Sequence, residues 1–244
     1  MFYIEVFFIT LILSTFFALG GMGSAVALVP ILNFLGINFN ASKAIGLFVN
    51  TSTTLTATIM NIKRKTLNIK EVLPLALTMA LFAPFGAILS KYIPEHFVKI
   101  LFALFLVFSA SMILFGKKEK KFNNITISFM ILLGSFVGIL SGLLGVGGGA
   151  IVVPALIMMG MDTKKVAVIT SFVIPFSTFS AFLTYLSIIK IDFYLLFIAT
   201  IAAILGGFIG NYLMHFKLDQ KQIKKIIAIM LYMLAIKMIW SVLK

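Results

Sequence analysis

The chain has 244 residues, of which 61% are hydrophobic and 11% are charged, and its mean hydropathy is +1.17. Soluble domains carry roughly 25% charged residues, so the composition excludes a soluble protein and favours one embedded in lipid. The formal net charge is +13, but Lys and Arg lie in short clusters between apolar runs, which argues against nucleic-acid binding. Cysteine is absent, which excludes disulfides, thiolate metal sites and a cysteine nucleophile.

Apolar runs separated by short breaks predict an all-α, polytopic transmembrane helical bundle of ten segments. In chain order the segments are 2–19, 24–37, 44–62, 70–90, 97–115, 125–143, 150–160, 164–189, 191–213 and 222–243. The first run lacks a basic n-region and carries Glu5, so we expect a retained span and not a cleaved signal peptide. No break is long enough to fold alone and no nucleophile elbow is present, so the sequence predicts no enzyme and no catalytic residue.

The ten segments form two halves that repeat at one ungapped offset. Pro30 and Pro154 lie 124 residues apart, by subtraction of 30 from 154. The same shift pairs Gly21 with Gly145, Gly23 with Gly147, Gly36 with Gly160, Gly86 with Gly210, Phe48 with Phe172 and Thr54 with Thr178. We therefore predict a first transmembrane repeat over 1–116, a basic cytoplasmic linker over 117–124 and a second repeat over 125–244.

The distribution of Lys and Arg predicts the topology, because cytoplasmic loops are enriched in these residues. Four basic loops fall in the cytoplasm if all ten segments cross and the N-terminus is outside. They contain Lys63, Arg64, Lys65 and Lys70; Lys117, Lys118, Lys120 and Lys121; Lys164 and Lys165; and Lys217, Lys221, Lys224 and Lys225. The loops near Lys43, Lys91 to Lys99 and Lys190 to Asp192 are then outside. An alternative has six crossings, with segments 1–2 and 6–7 as re-entrant hairpins. It would keep the loops on the same sides of the membrane, so the charge distribution does not decide between the two topologies.

Five segments in each half is an odd number, so the second half enters the membrane in the opposite orientation to the first. This predicts two inverted repeats, an architecture that many secondary transporters use to open alternately to the two sides.

Two glycine-rich breaks predict the position of a binding site. Segments 24–37 and 150–160 are roughly 21 and 16 Å long as helices, against about 30 Å of hydrocarbon, so neither crosses comfortably. Short, Gly/Pro-interrupted segments at matching positions of two halves point to a transporter's binding site. The glycines can turn backbone N–H groups toward a cavity at a helix N-terminus, where the dipole favours an anion. Close helix packing is the alternative role for these glycines.

Polar residues on the third segment of each half complete the predicted site. Their hydroxyl and amide groups could coordinate a small oxyanion or a coupling cation, although Ser and Thr also hold transmembrane helices together. The candidate substrate-binding residues are Gly21, Gly23, Asn50, Thr51, Ser52, Gly145, Gly147, Gly148, Gly149, Thr170 and Ser171. We predict no metal ligand and no cofactor.

Ionisable residues are nearly absent from the predicted spans. Glu5 and Lys237 lie near segment ends, and His96 and His215 are expected in loops. This argues against a buried carboxylate relay for protons. The sequence does not decide whether transport is coupled to an ion such as H⁺ or Na⁺.

The doubled glycine tracts resemble those of a known family. The run from Gly21 through Gly23 to Pro30, repeated from Gly145 through Gly149 to Pro154, is similar to the sulfite exporter TauE/SafE family of permeases, and the resemblance covers essentially the whole chain. It implies transport of small sulfur-containing anions, such as sulfite, thiosulfate or organosulfonates, across the cytoplasmic (inner) membrane. The first tract departs from the fuller pattern, with Ser24 where the second half has Gly148.

The sequence therefore favours a multi-pass secondary transporter of a small anion, with the anion and the lipid bilayer as its partners. Two alternatives stay open, an anion channel with the same site and a membrane scaffold in which the glycines only pack helices.

Overall fold

A computed structural model of the chain describes residues 1–115 and 126–243. These residues form ten α-helices and no strand, which confirms the predicted all-α fold. The helices are α1 Phe2–Ala18, α2 Ala25–Phe34, α3 Phe39–Lys63, α4 Ile69–Tyr92, α5 Glu95–Phe115, α6 Ile127–Leu144, α7 Gly149–Met158, α8 Thr163–Ile188, α9 Phe193–Phe216 and α10 Gln220–Leu243. The predicted linker 117–124 lies outside the described residues.

The described helices include five that are long and apolar enough to cross a membrane, namely α4, α5, α6, α8 and α9. Large apolar side chains lie on their outer surface; Leu81, for example, is 66% exposed. In a bilayer these side chains contact lipid, so the protein is a multi-pass membrane protein. Helices α2 and α7 have 10 residues each, about 15 Å of helix, which is shorter than the roughly 30 Å of hydrocarbon, as predicted.

The helix boundaries repeat at the offset found in the sequence. Helices α2 and α4 occupy 25–34 and 69–92, and α7 and α9 occupy 149–158 and 193–216, a shift of 124 residues at every boundary. The backbone repeats as well, since all six described glycines with positive φ form three pairs at this offset. The pairs are Gly21 with Gly145, Gly23 with Gly147, and Gly36 with Gly160.

Local sequence explains where the short helices stop and where α3 starts. Gly36, with φ of +91°, follows α2, and the next amide, that of Ile37, donates back to the Leu32 carbonyl at 3.1 Å. Glycine is favoured there because other residues are strained at positive φ. The Asn38 side chain then caps α3 by accepting from the amides of Asn40 and Ala41.

Equivalent helices of the two halves make equivalent contacts with the opposite half. Helix α1 packs on α9, and its counterpart α6 packs on α4, the counterpart of α9. The equivalent helices α3 and α8 pack on each other and run antiparallel. Near one end Asn61 bonds Ser171, and in the middle Thr51 bonds Thr178. This pattern is compatible with two repeats of opposite orientation around a central α3–α8 pair.

Glycine permits the close packing of α4 on α6. A Cβ on Gly86 would overlap the Ile139 carbonyl oxygen, and one on Gly142 would overlap the Ala83 carbonyl oxygen. We expect Gly86→Val to lower the free energy of unfolding by about 1–3 kcal/mol or more, because α4 and α6 must separate. The measurement is the melting temperature in detergent. The matched control is Leu81→Val on the lipid-facing side of α4, and an equal shift in both variants would contradict this account.

Three predictions about helix ends were wrong. Helix α3 begins at Phe39, five residues before the predicted start at 44, so Lys43 lies inside the helix and is buried. His96 and His215, both expected in loops, lie in the first turn of α5 and in the last turn of α9. At Lys43 and His215 the helix extends past the end of its apolar run, because the polar residue finds partners on a neighbouring helix.

Candidate functional site

The two glycine tracts, residues 20–24 and 145–149, contact each other inside the protein. All ten residues are buried. A Cβ on Gly149 would lie 2.7 Å from the Cα and the carbonyl oxygen of Met22. The two tracts therefore meet in a packed contact.

Asn50 lies between the tracts. Its side chain is fully buried, and a Cβ on either Gly23 or Gly147 would overlap its amide group. The Asn50 Nδ2 donates to the Val146 carbonyl at 3.2 Å, whereas its Oδ1 has no hydrogen-bond partner in the described residues. One side chain of α3 thus contacts the backbone of both halves.

Each tract ends at the N-terminus of a short helix, α2 or α7. The first amides of a helix have no intrahelical acceptor. The hydrogen bonds of the described residues leave the amides of Gly23, Ser24, Gly147 and Gly148 without one. Buried N–H groups without partners are uncommon. These two helix ends, with their positive dipole potential, are suited to a negatively charged ligand.

The other tract glycines are explained by close approach. A Cβ on Gly148 would meet Val137 and Met79, so this position is filled by packing between α6 and α4. A Cβ on Gly21 would overlap the backbone of α8 at Ala167 and lie 2.6 Å from the Thr170 Oγ1. The predicted residue Thr170 therefore adjoins the first tract, although its hydroxyl donates to the Val166 carbonyl of its own helix at 2.8 Å.

Thr51 and Ser52 both line a cavity, and Thr51 also bonds a residue beside the second tract. The Thr51 hydroxyl bonds the Thr178 hydroxyl at 2.7 Å, and a Cβ on Gly147 would lie 2.5 Å from the Thr178 methyl group. The Ser52 hydroxyl donates to the Phe48 carbonyl of its own helix at 3.0 Å. Both Thr51 and Ser52 line a mainly apolar cavity of about 750 Å³ beside Pro84 and Pro175. The hydrogen-bonded pair Thr51–Thr178 thus lies between this lateral cavity and the second tract.

Ser171 lies apart from the glycine tracts, in a polar cluster that sequence reasoning missed. We call Asn61, Arg64, Ser171, Asn211 and His215 the inner polar cluster. Asn61 donates to Ser171 at 3.0 Å, and its Oδ1 is bonded by Asn211 at 3.1 Å and His215 at 2.9 Å. Arg64 donates to Asn211 at 2.6 Å. The cluster joins the C-terminal ends of α3 and α9 to α8.

A sequence signal for this cluster existed but was weak. Asn61 and Asn211 are amides inside long apolar runs, and a polar residue within a transmembrane segment usually faces a neighbouring helix. Which helix it faces cannot be read from one chain segment.

Asn61 holds the inner polar cluster together. We expect Asn61→Leu to lower the free energy of unfolding by about 1–3 kcal/mol, because Ser171, Asn211 and His215 lose a buried partner. The check is the melting temperature in detergent, with Ser135→Ala as control, since Ser135 is only partly buried and its hydroxyl bonds its own helix at the Ile131 carbonyl. Equal melting temperatures for Asn61→Leu and the unaltered chain would contradict this role.

Basic residues line two cavities at the same end as the inner polar cluster. One cavity, of about 580 Å³, lies between α4, α6, α7 and α8 and includes Lys70 and Lys165. The other, of about 280 Å³, shares Lys165 and adds Lys65. Three of the four predicted basic clusters therefore lie at one end, since the Lys164 Nζ also reaches the His215 carbonyl. The fourth, at 117–121, is outside the described residues.

Comparison with known proteins agrees with this architecture. The family model described as sulfite exporter TauE/SafE matches residues 6–238. A probable membrane transporter protein of Methanocaldococcus jannaschii is 31% identical over 192 residues, covering 74% of this chain and 70% of the relative. The probable membrane transporter protein YunE of Bacillus subtilis is 26% identical over 263 residues, covering 95% of each chain. No solved structure matches the chain.

The match extends across both repeats and every described helix, and the relatives are named as transporters and not as enzymes. The chain therefore belongs to the sulfite exporter TauE/SafE family of membrane transporters.

Proposed function

We propose that the protein is a secondary transporter of a small oxyanion or organosulfonate, such as sulfite or thiosulfate, and that the substrate binds between the two glycine tracts. The observation that carries the proposal is the meeting of two buried helix N-termini whose first amides lack acceptors, around Asn50. An anion there accepts hydrogen bonds from both ends and is stabilised by both helix dipoles.

Such a site needs no arginine. Amides at a helix N-terminus bind oxyanions through several parallel N–H groups, and these donors are strengthened in surroundings of low dielectric. The Asn50 amide group and the Thr51 and Thr178 hydroxyls adjoin the same space and supply additional hydrogen-bonding groups. The description of the matching family, sulfite exporter, supports a substrate of this size and charge.

Binding requires the tracts to separate, because Met22 and Gly149 are in contact. We infer that the halves are inverted repeats that rock about the central α3–α8 pair, so that the tracts open to the basic cavities on one side and to the opposite side in turn. The contact exchange between halves and the antiparallel run of α3 and α8 support this motion.

The experiment is a flux assay with purified protein in liposomes, using ³⁵S-labelled sulfite and thiosulfate and a labelled sulfonate. The proposal expects saturable flux of at least one of these anions, and accumulation of the label when an excess of the unlabelled anion is preloaded inside. Saturable exchange distinguishes a transporter from a channel, whose flux would follow the gradient alone.

Gradients of H⁺ and Na⁺ imposed in the same liposomes identify the coupling ion. Absence of flux for every anion, with correctly inserted protein, would overturn the proposal and favour a scaffold role.

A further inference from the structure

Lys43 is a buried basic residue near the N-terminus of α3. It is 1% exposed. Its ammonium group donates to the Ser90 hydroxyl of α4 and, at 3.5 Å, to the Leu143 carbonyl near the end of α6. Two aromatic rings enclose it, those of Phe39 at 4.7 Å and Tyr185 at 5.5 Å from Nζ to ring centroid. Four helices thus converge on one side chain.

No carboxylate forms an ion pair with Lys43 within the described residues. The ion pair found there joins Lys99 to Glu95 at 2.6 Å. Lys99 also lies over the Phe39 ring at 5.0 Å, so the same ring adjoins one paired and one unpaired ammonium group. An unpaired ammonium away from water is strongly disfavoured. Lys43 has three donors and two described acceptors, which leaves one donor for a further group.

Lys43 also adjoins the second glycine tract. A Cβ on Gly145 would lie 2.7 Å from the Lys43 Cδ. The equivalent glycine of the first half, Gly21, lies instead against Ala167, which is the repeat counterpart of Lys43 because 43 plus 124 is 167. The internal symmetry of the site is therefore broken by one positive charge.

A purely structural role explains less of this geometry. A lysine can cap a helix C-terminus, and the Leu143 carbonyl is in the last turn of α6. A cap does not require the ammonium group to be enclosed by aromatic rings, or the aliphatic stem of the lysine to lie against the tract, and the bond to Leu143 is the longer of the two. The unused donor and the missing counter-charge point to an anion.

We propose that Lys43 is a substrate-binding residue, whose ammonium group the transported anion contacts beside the second glycine tract. The inference rests on the proposed function and deepens it, by assigning the charge recognition to one end of the α3–α8 pair. Lys43 then leaves the acceptors that hold it here and pairs with the anion when the tracts open toward this end.

The test measures transport by the full chain in liposomes, with whichever labelled anion, sulfite, thiosulfate or sulfonate, the unaltered protein carries. Lys43→Met removes the charge at similar length, and Lys99→Met is the matched control on the same aromatic ring. We expect Lys43→Met to raise KM by about tenfold to a hundredfold with a smaller change in kcat, the loss expected for one charge-assisted hydrogen bond. Lys99→Met should keep KM within about twofold, because its ion pair with Glu95 is partly exposed and such pairs contribute little.

A second measurement uses the unaltered chain and so does not depend on folding of a variant. Lysines are acetylated with and without saturating transported anion, and peptides are quantified by mass spectrometry. We expect the anion to protect Lys43 at least severalfold and to leave Lys99 unchanged. An unchanged KM in Lys43→Met overturns the inference. So does acetylation of Lys43 that the anion does not affect, or that never occurs, because a residue that meets substrate must be reached from water at some stage.

These outcomes separate the inference from the proposed function. Saturable transport with an unchanged KM in Lys43→Met removes the role of Lys43 alone. Absence of anion transport by the unaltered protein removes both.

Discussion

Gly147→Val is expected to reduce anion transport at least about a hundredfold, the loss typical of a reacting or binding group displaced by about 1 Å. The φ of Gly147 is +67°, a conformation that strains any residue with a Cβ. The added atoms would overlap the Asn50 amide group and press on the Thr178 methyl group. Asn50 is thereby pushed away from both tracts. The measurement is the initial rate of flux per inserted protein in liposomes.

Gly36→Ala is the matched control for this variant. Gly36 has a φ of +91°, yet a Cβ there would meet no heavy atom within 4 Å. It carries a similar backbone cost of about 1–2 kcal/mol without any overlap at the site. We expect nearly normal transport and a small loss of melting temperature. Equal transport by the two variants would contradict the assignment of Gly147 to the binding site. If Gly147→Val impairs assembly but transports normally once inserted, the role of Gly147 is helix packing alone.

Asn50→Asp is the second variant with a large expected effect. The exchange keeps the shape of the side chain but replaces the Nδ2 donor, which bonds the Val146 carbonyl at 3.2 Å, by a second acceptor. A carboxylate there faces a carbonyl oxygen and repels a bound anion. We expect roughly a tenfold to hundredfold loss of transport at neutral pH, from an unsatisfied buried group worth about 1–3 kcal/mol. The assay is the same liposome flux.

The pH dependence of Asn50→Asp gives this prediction a distinctive signature. Protonation restores a donor toward Val146 and removes the repulsive charge, so the ratio of variant to unaltered flux should rise as the pH falls. The control is Asn33→Asp. The Asn33 Nδ2 also donates to a backbone carbonyl, that of Ile37 at 3.0 Å, but at the far end of α2. A ratio that stays constant with pH, or an equal loss in Asn33→Asp, would contradict the assigned role of Asn50.

Substitutions at Gly147 and Asn50 report on the site, while the variants Gly86→Val and Asn61→Leu report on the scaffold. The distinction matters because both kinds of residue are buried, and a substitution at either kind lowers activity if it makes the protein misfold. Flux is therefore compared per correctly inserted molecule, and melting temperature is measured for every variant.

The sequence by itself determined the helices, the duplication and the positions of the breaks. Hydropathy over 15 to 25 residues reports lipid exposure, which is a property of a single segment. The pairing of Gly23 with Gly147, and of Pro30 with Pro154, survives in the structure as matching positive φ and as two helices of equal length. These features depend on local backbone conformation, and local sequence therefore predicts them.

Only the tertiary structure decided which polar side chains reach the tracts. Successive residues of a helix point about 100° apart, so Asn50 faces both tracts while Ser52 lines the lateral cavity. Ser171, also predicted at the site, bonds Asn61 of the inner polar cluster. These outcomes follow from the rotation and crossing of α3 on α8, which no single segment encodes.

Lys43 illustrates the same division. The sequence placed it in an outer loop, because a lysine interrupts an apolar run and the hydropathy criterion ends the segment there. The Asn38 cap begins α3 before it, and the rings of Phe39 and Tyr185 with the Ser90 hydroxyl then enclose the ammonium group. A buried charge is tolerated only where other elements solvate it, and those elements are distant in the chain. Their arrangement is a property of the folded protein.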